Sequence, residues 1–226
     1  MKVLAIIMSG GIGSRMNSEK PKQLLNIGAD NILERSIEKF NELSEINSIY
    51  VVSHIDLIEY TKKLVMNRGF SKVSKILVGG NTRQLSSKIG VLASDNDFSI
   101  ILIHDSARPF VNSKTIKSVV SALENSNAVI PVIDSSDTLV KINKKNQIYN
   151  YLDRNSIKRV QTPQGFKRDI IVKAHLKAEK EDIDSFSDDS SMIIHYGLAS
   201  VTFVEGDPAN IKITYEKDLN GFKENK

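Results

Sequence analysis

Glycines and basic residues directly follow the first apolar run of the chain, and this combination suits phosphate binding. The letters SGGIGSR occupy positions 9–15, and PKQ occupies positions 21–23. Glycine lets backbone N–H groups turn toward an anion without a side chain in the way, and Arg15 and Lys22 add positive charge. A plain tight turn is the alternative, because a glycine loop alone is weak evidence. The two basic residues favour a small polyanionic ligand.

Two common nucleotide-binding motifs fit this loop poorly. A Walker A motif needs Gly-Lys-Ser or Gly-Lys-Thr after its glycines, and the chain has neither here. The dinucleotide fingerprint needs a third glycine or alanine, but Met16 stands in that place. A dinucleotide-dependent oxidoreductase is therefore kept only as an alternative hypothesis.

A second group of charged residues, HDSARP at positions 104–109, follows a later apolar run. Asp105 could hold Mg²⁺ between phosphates, because Mg²⁺ favours one or two carboxylates together with substrate oxygens. Arg108 could grip a phosphate through two parallel hydrogen bonds. The alternative is a structural Asp–Arg pair at the end of a strand. Lys212 adds little by itself, since a lone lysine in a strand usually faces solvent.

The chain offers few groups for base or nucleophilic catalysis. It has no cysteine, its four histidines lack metal-ligand spacing, and no serine lies in a Gly-x-Ser-x-Gly elbow. A phosphate monoester acceptor needs no base, because its second pKa is about 6 and its oxygen is anionic at neutral pH. Such a reaction needs two polyanions positioned and charge neutralised at the reacting phosphorus. Glycine N–H groups, Lys, Arg and Mg²⁺ meet that need, which favours nucleotidyl transfer.

Apolar runs alternate with helical patterns through the first part of the chain. This alternation predicts an α/β fold with a Rossmann-like, mostly parallel open sheet and helices on both faces. Ligands bind beyond the carboxyl ends of strands in such sheets, so the segments that follow the strands are the candidate site. Strands are predicted at 3–8, 48–53, 75–78, 98–104 and 128–133, and helices at 31–43, 56–68, 83–93 and 114–124.

The pattern changes near residue 138, where two short β-like runs are joined by a polar turn. This is a hairpin signal, and an apolar hairpin needs a surface to cover it. Either a partner subunit or its own domain could provide that surface; we predict a protruding β-hairpin dimerisation arm at about 138–158. Beyond it, helices are predicted near 167–180 and 188–195, and strands near 202–204 and 211–214. We predict one domain over residues 1–226.

Composition limits the classes of partner. The chain has 31 basic and 27 acidic residues, a net charge of +4 and no tryptophan. Nucleic-acid binders usually gather basic residues into a stripe with aromatic platforms, so we expect no nucleic-acid partner. No run of about 18 apolar residues exists and the apolar start is too short for a signal peptide, so we expect no membrane segment. The lack of cysteine fits the cytoplasmic location that we predict.

Taken in order, these motifs resemble the 2-C-methyl-D-erythritol 4-phosphate cytidylyltransferase family and its sister family, the ribitol-5-phosphate cytidylyltransferases. The resemblance covers nearly the whole chain, and the joint order of the motifs is specific. The motifs are the glycine loop with Arg15 and PKQ at 21–23, GGxxR at 79–83, HDxARP at 104–109, Asp137-Thr138, Asp153-Arg154, QTPQxF at 161–166, Asp188-Asp189, VEG at 204–206 and NIKIT at 210–214.

The resemblance implies a role for each matching residue. It implies CTP and a small polyol phosphate as substrates, Mg²⁺ as cofactor with Asp105 as its ligand, and a homodimer in which the neighbour's arm reaches the site. The implied catalytic residues are Arg15, Lys22 and Lys212. The implied nucleotide-binding residues are Ser9, Gly10, Gly11, Gly13, Gly80, Arg83, Ser86, Asp105 and Ser106, and the implied acceptor-binding residues are Arg108, Thr138, Arg154 and Ser187.

Several positions depart from the usual pattern of the family. Ser9-Gly10-Gly11 stands where Ala-Ala-Gly is usual, and Ser187 replaces a threonine but keeps the hydroxyl. The ribitol branch tends to have valine where Ala107 stands, and it lacks the Asp153-Arg154 form. The balance favours methylerythritol phosphate as acceptor, with ribitol 5-phosphate as the alternative. A non-catalytic nucleotide-binding module is the alternative of another class.

Overall fold

The computed structural model describes residues 1–11 and 21–219. Within them, an eight-stranded sheet is covered by helices on both faces, and two small two-stranded sheets lie apart from it. The strands are β1 (Val3–Ser9), β2 (Asn26–Ile27), β3 (Asp30–Asn31), β4 (Ser48–Ser53), β5 (Val73–Val78), β6 (Ile100–Asp105), β7 (Ala128–Asp134), β8 (Val140–Ile142), β9 (Ile148–Tyr151), β10 (Lys158–Val160), β11 (Gln164–Lys167) and β12 (Val201–Glu205). The helices are α1 (Ile32–Asn41), α2 (Ile58–Arg68), α3 (Arg83–Leu92), α4 (Ser113–Ala122), α5 (Arg168–Lys180) and α6 (Asp189–His195).

The large sheet is mostly parallel, as predicted. Parallel pairings join β5, β4, β1 and β6, and another joins β7 to β12. β6 and β7 are both antiparallel to β11, which lies between them, so they share one direction. β10 is also antiparallel to β7. The sequence analysis missed β11, because the letters QGFK at 164–167 contain no apolar run or alternation that predicts a strand.

Alternate residues of β1 enter two separate cores. Ala5 and Ile7 pack in a core with residues of α1, α2 and α4, whereas Leu4 and Ile6 pack in a core with residues of α3, α5 and α6. All four side chains have no exposed surface. Burying a large aliphatic side chain contributes about 1.5–3 kcal/mol. The carboxyl end of β1 is therefore held firmly in the middle of the sheet.

Side-chain caps fix the start of the two helices nearest the carboxyl edge. Thr82 caps α3 by accepting the backbone N–H of Leu85 at 3.1 Å. Asp188 caps α6 by accepting the N–H of Ser191 at 2.8 Å. A cap of this kind is worth about 1 kcal/mol. As a result, Arg83 and Asp189 are the first residues of their helices.

The predicted hairpin is present as β8 and β9, which pair antiparallel in a sheet of their own. Four of its apolar side chains lie between 55% and 67% exposed: Ile142, Ile148, Tyr149 and Tyr151. The hairpin therefore does not bury this surface within the described chain. Its role in dimerisation stays a prediction.

The strand predicted at 211–214 was wrong. These residues form no strand, and the Ile213 N–H donates to the Ala107 carbonyl at 2.8 Å. The Ile213 side chain is fully buried in a small third core with Ile27 and Ile32. The alternation of polar and apolar residues thus reflects a loop anchored to the turn after β6. None of the helices in the described residues has the length and apolarity that crossing a membrane requires.

Candidate active site

The described site residues converge at the carboxyl edge of the sheet. Ser9 ends β1, Asp105 ends β6, and the Ser106 N–H donates to the Met8 carbonyl at 3.0 Å. Ser9 and Ser106 are only 1% and 3% exposed, so they form part of the floor of the site. Two of the predicted residues, Gly13 and Arg15, lie outside the described residues.

A glycine pocket lies where β1, β5 and α3 meet. A Cβ on Gly10 would lie 3.0 Å from the Ser86 Oγ, and one on Gly79 would lie 2.9 Å from the same atom. A Cβ on Gly80 would lie 2.6 Å from the Leu85 Cβ. Each contact is closer than side-chain carbon normally allows, so only glycine leaves the backbone and Ser86 this close. Gly10, Gly80 and Ser86 therefore come together as predicted, and we call Gly10, Gly79, Gly80 and Ser86 the glycine pocket.

Gln23 holds the start of the first loop. Its Nε2 donates to the Ser9 carbonyl at 2.9 Å and also to the Gly11 carbonyl, and the residue is only 2% exposed. A Cβ on Gly11 would meet no atom of the described residues within 4 Å. Gln23 belongs to the PKQ motif at 21–23, and its adjacency to Lys22 is the only sequence signal for a role in the site.

The two candidate catalytic lysines come from opposite ends of the chain and meet beside the turn after β6. The Lys22 Nζ donates to the Ile213 carbonyl at 3.1 Å. The Lys212 Nζ donates to the Asp105 Oδ2 at 2.6 Å. The loop that failed to form a strand therefore does bring Lys212 to the site, and it also binds Lys22.

Arg83 joins two buried carboxylates. Its Nε donates to the Asp105 Oδ1 at 3.1 Å, and its Nη1 donates to the Asp189 Oδ2 at 2.7 Å. Burial would lower the pKa of Arg83, but attraction to Asp189 and Asp105 outweighs burial and raises it. Burial would raise the pKa of Asp105, but Arg83 and Lys212 hold it far below its usual range. Arg83 and Asp105 are thus both ionised, and Arg83 and Lys212 each contact one oxygen of Asp105.

Asp189 is a site residue that the sequence analysis did not single out. It has no exposed surface, and the Ser87 Oγ donates to its Oδ1 while the His175 Nε2 lies 3.6 Å away. Burial would raise the pKa of Asp189, but attraction to Arg83 lowers it well below its usual value. The paired acids at 188–189 were visible in the sequence. Nothing in the sequence distinguished Asp188, which caps a helix, from Asp189, which binds the arginine.

Comparison with known proteins agrees with this arrangement. The family model for 2-C-methyl-D-erythritol 4-phosphate cytidylyltransferase matches residues 3–222. The chain belongs to this family. A relative of that name from Thermobifida fusca is 35% identical over 225 residues, which is 96% of this chain and 90% of that protein.

The fold of this chain is similar to solved structures of cytidylyltransferases. The crystal structure of 4-diphosphocytidyl-2C-methyl-D-erythritol synthase from Anaerococcus prevotii has a TM-score of 0.85 at 27% identity, and the match covers 96% of this chain and 92% of that one. The 2-C-methyl-D-erythritol 4-phosphate cytidylyltransferase from Thermus thermophilus has a TM-score of 0.77 at 27% identity, covering 96% and 95%. The mostly parallel sheet is therefore shared with the cytidylyltransferase family.

Arg108, unlike Arg83, is held by backbone carbonyls. Its Nη1 donates to the Asn210 carbonyl at 2.7 Å and its Nη2 to the Val160 carbonyl at 3.2 Å. Its buried Nε has no hydrogen-bond partner among the residues that the structure describes. Burial lowers the pKa of Arg108, and attraction to Asp105 opposes that shift. In the described chain the guanidinium binds carbonyls and no carboxylate, which leaves it suited to an anionic ligand.

The three other predicted acceptor-binding residues come from the arm and from the segment before α6. The Arg154 Nη2 donates to the Thr138 Oγ1 at the base of the arm, and both residues are exposed. The Ser187 Oγ donates to the Ser191 Oγ at 3.5 Å. The predicted contribution of Thr138 and Arg154 to a neighbouring subunit's site stays a prediction, as does the predicted place of Ser187 near the acceptor.

Asp105 is the carboxylate available for the predicted Mg²⁺. No group of three or more His, Asp or Glu within residues 1–11 and 21–219 forms a metal-binding cluster. A single carboxylate fits an ion whose other ligands are substrate phosphates and water. Arg83 contacts one oxygen of Asp105 and Lys212 contacts the other, so an ion at Asp105 would have to replace Lys212, whose side chain is 40% exposed.

Proposed function

We propose that this chain transfers the cytidylyl group of CTP to the phosphate of 2-C-methyl-D-erythritol 4-phosphate and releases pyrophosphate. The observation that supports this most is that Lys212 pairs with Asp105 while Lys22 is held on the neighbouring Ile213 carbonyl, at the carboxyl edge that also carries the glycine pocket. Two polyanions would meet at such a place, and fixed cations would neutralise the charge that develops. The names of the relatives support the same choice of substrates.

The chemistry requires positioning and no proton removal. An oxygen of the acceptor phosphate, already anionic at neutral pH, attacks the α-phosphorus of CTP. The new P–O bond forms as the bond from that phosphorus to the bridging oxygen breaks, and the electron pair leaves with pyrophosphate. Lys22 and Lys212 stabilise the charge on the pentavalent phosphorus. The family resemblance implies the same role for Arg15.

The remaining groups hold the two substrates. The glycine pocket with Arg83 receives the cytosine end of CTP, and Arg108 binds the acceptor phosphate with its guanidinium. The negative charge of the bound triphosphate would attract Lys212 away from Asp105. The lysine side chain is 40% exposed and that of the carboxylate only 11%, so the lysine is the partner that would move. Asp105 would then hold Mg²⁺, which supplies further neutralisation of the triphosphate charge.

A homodimer completes the acceptor site in this proposal. Four apolar side chains of the arm are more than half exposed, and burying them against a second copy removes them from water. Thr138 and Arg154 would then reach the neighbour's site as a pair, since they are already joined by a hydrogen bond.

The direct test is turnover of purified protein with CTP, Mg²⁺ and one acceptor at a time. Pyrophosphate release with methylerythritol phosphate, together with CDP-methylerythritol in the product mixture, supports the proposal. Omission of the acceptor is the control for hydrolysis, and ATP, GTP and UTP test the base preference. Turnover with ribitol 5-phosphate alone would replace the acceptor with the alternative one. If neither acceptor gives turnover, the proposed function is contradicted.

A further inference from the structure

His104 is a buried polar residue that the proposed reaction does not use. It lies at the end of β6, directly before Asp105, and none of its surface is exposed. Its Nδ1 lies 3.0 Å from the Thr162 Oγ1, and its Nε2 lies 3.2 Å from the Arg108 carbonyl oxygen. Its ring packs on Phe40, with the ring centroids 4.9 Å apart. Both ring nitrogens are therefore occupied by groups that flank the site.

These partners determine which nitrogen carries the proton. A carbonyl oxygen only accepts hydrogen bonds, so the Nε2 opposite Arg108 must be the donor. The Thr162 hydroxyl can turn its hydrogen toward Nδ1 while one of its lone pairs faces the Asp105 N–H, so the contacts fit a ring that donates from Nε2 and accepts at Nδ1.

The same hydroxyl also binds the backbone of the site carboxylate. The Thr162 Oγ1 accepts the Asp105 N–H at 3.2 Å, a role that stays open to it because its own hydrogen points at His104. The Arg108 N–H donates to the Asp105 carbonyl at 2.9 Å and closes the turn. His104 thus connects the start of the turn, the end of the turn and the segment before β11.

We propose that His104 is a positioning residue whose Nε2–H donates to the Arg108 carbonyl and thereby fixes the turn carrying Asp105 and Arg108. This inference rests on the proposed function, in which Arg108 binds the acceptor phosphate. Misplacing a binding group by about 1 Å costs up to about 100-fold in rate. Asp105 is also held by Arg83 and Lys212, whereas the Arg108 carbonyl accepts from the His104 ring at 3.2 Å and, at the longer distance of 3.4 Å, from the Val111 N–H. The effect of losing His104 should fall mainly on the acceptor.

The tautomer can be measured without activity. Protein labelled with ¹⁵N-histidine is examined by long-range ¹H–¹⁵N correlation NMR, and His104 is assigned from a His104→Gln sample. We expect the Nε2–H pattern at neutral pH. A ring with its proton on Nδ1 and none on Nε2 would overturn the inference. A wild-type protein with the expected tautomer but no turnover contradicts only the proposed function.

Two variants separate the contacts of the ring. His104→Gln can keep a donor near the Arg108 carbonyl, and His104→Asn can keep an acceptor near the Thr162 hydroxyl. We expect His104→Asn to raise KM for the acceptor about tenfold, with KM for CTP changed less than about twofold. His104→Gln should show a smaller rise in acceptor KM. The control is His195→Gln, because His195 is exposed on α6.

Parallel changes in both KM values, or unchanged kinetics, would show a merely structural role and overturn the inference. Thermal unfolding of each variant shows whether it is folded. If a variant does not fold, the NMR measurement on the wild type decides the question.

Discussion

Two arginines of the site show opposite ways of being held. Arg83 is mostly buried, and two carboxylates bind it from opposite sides. Arg154 is exposed on the arm, and its hydrogen bond goes to the hydroxyl of Thr138. The first is prepared by the fold of its own chain, and its position is independent of any partner. The second is prepared only in part, because one chain leaves it in solvent.

The same contrast divides the proposed substrate sites. The nucleotide side consists of strand ends and helix starts held by the two cores of the sheet. The acceptor side combines Arg108, which the chain holds itself, with arm residues that we propose come from a second copy. Substitutions on the nucleotide side should therefore act within one chain, whereas those on the arm should act between chains.

Removing a lysine from the centre of the site should have the largest effect. Lys22→Ala should lower kcat by about 100-fold to 1000-fold, equivalent to about 3–4 kcal/mol, because a positioned charge is lost where charge develops. The unfolding midpoint should stay near that of the wild type. Steady-state kinetics and thermal unfolding measure the two quantities, with the exposed residue Lys63→Ala as the matched control. A kcat within about twofold of the wild type removes Lys22 from the mechanism.

Breaking the buried ion pair should mainly affect stability. Asp189→Asn should lower the free energy of unfolding by about 3 kcal/mol, because Arg83 loses a fully buried partner and keeps its charge. Urea unfolding at neutral pH measures the loss. Glu59→Gln is the control, since Glu59 pairs with Lys62 in solvent and should give no measurable change. Equal stability of both variants would mean that burial does not strengthen the Arg83 pair.

The stability difference between wild type and Asp189→Asn should depend on pH. The folded pKa of Asp189 is depressed, so its contribution is present above the unfolded value of about 3.9 and is lost as pH falls toward the folded pKa. The difference in unfolding free energy should be constant above about pH 5 and should shrink below about pH 4. Unfolding of both proteins across this range provides the measurement. A difference that grows on acidification would contradict the depressed pKa.

Loss of the arm arginine should have the smallest effect. Arg154→Ala should raise KM for the acceptor about tenfold, or about 1.4 kcal/mol, since a charge-assisted hydrogen bond is lost. KM for CTP should stay unchanged, because the glycine pocket is intact. Steady-state kinetics with each substrate varied in turn gives both values. A rise in KM for CTP of the same size would place Arg154 elsewhere.

Mixing two variants can sharpen the comparison between chains. Lys22→Ala and Arg154→Ala subunits are mixed so that they exchange into mixed dimers. If the arm acts on its neighbour, each mixed dimer has one site with both substitutions and one site with neither. The acceptor KM measured at the restored sites should return to the wild-type value. If the arm acts on its own chain, no mixed site is free of defects and no wild-type component appears.

Local patterns were sufficient for much of the fold. Continuous apolar runs predicted the parallel strands, since strands buried on both faces must be apolar throughout. The structure confirms β1 and β6 among them. The pattern failed at 211–214, where apolar residues bury themselves under a loop, and at β11, which is too short and too polar to show a period. Strand pairing at β11 comes from its neighbours β6 and β7 and leaves no local mark.

The order of motifs along the chain was enough to predict the chemistry: glycines, lysines and arginines follow strands, and strand ends meet in a parallel sheet. Only the tertiary structure decided which of these groups meet. It gave Lys22 the Ile213 carbonyl as a partner, and it chose Asp189 over Asp188 for Arg83. Such choices depend on contacts between residues far apart in the chain, whose geometry is set by packing of the two cores and is not encoded in any local spacing.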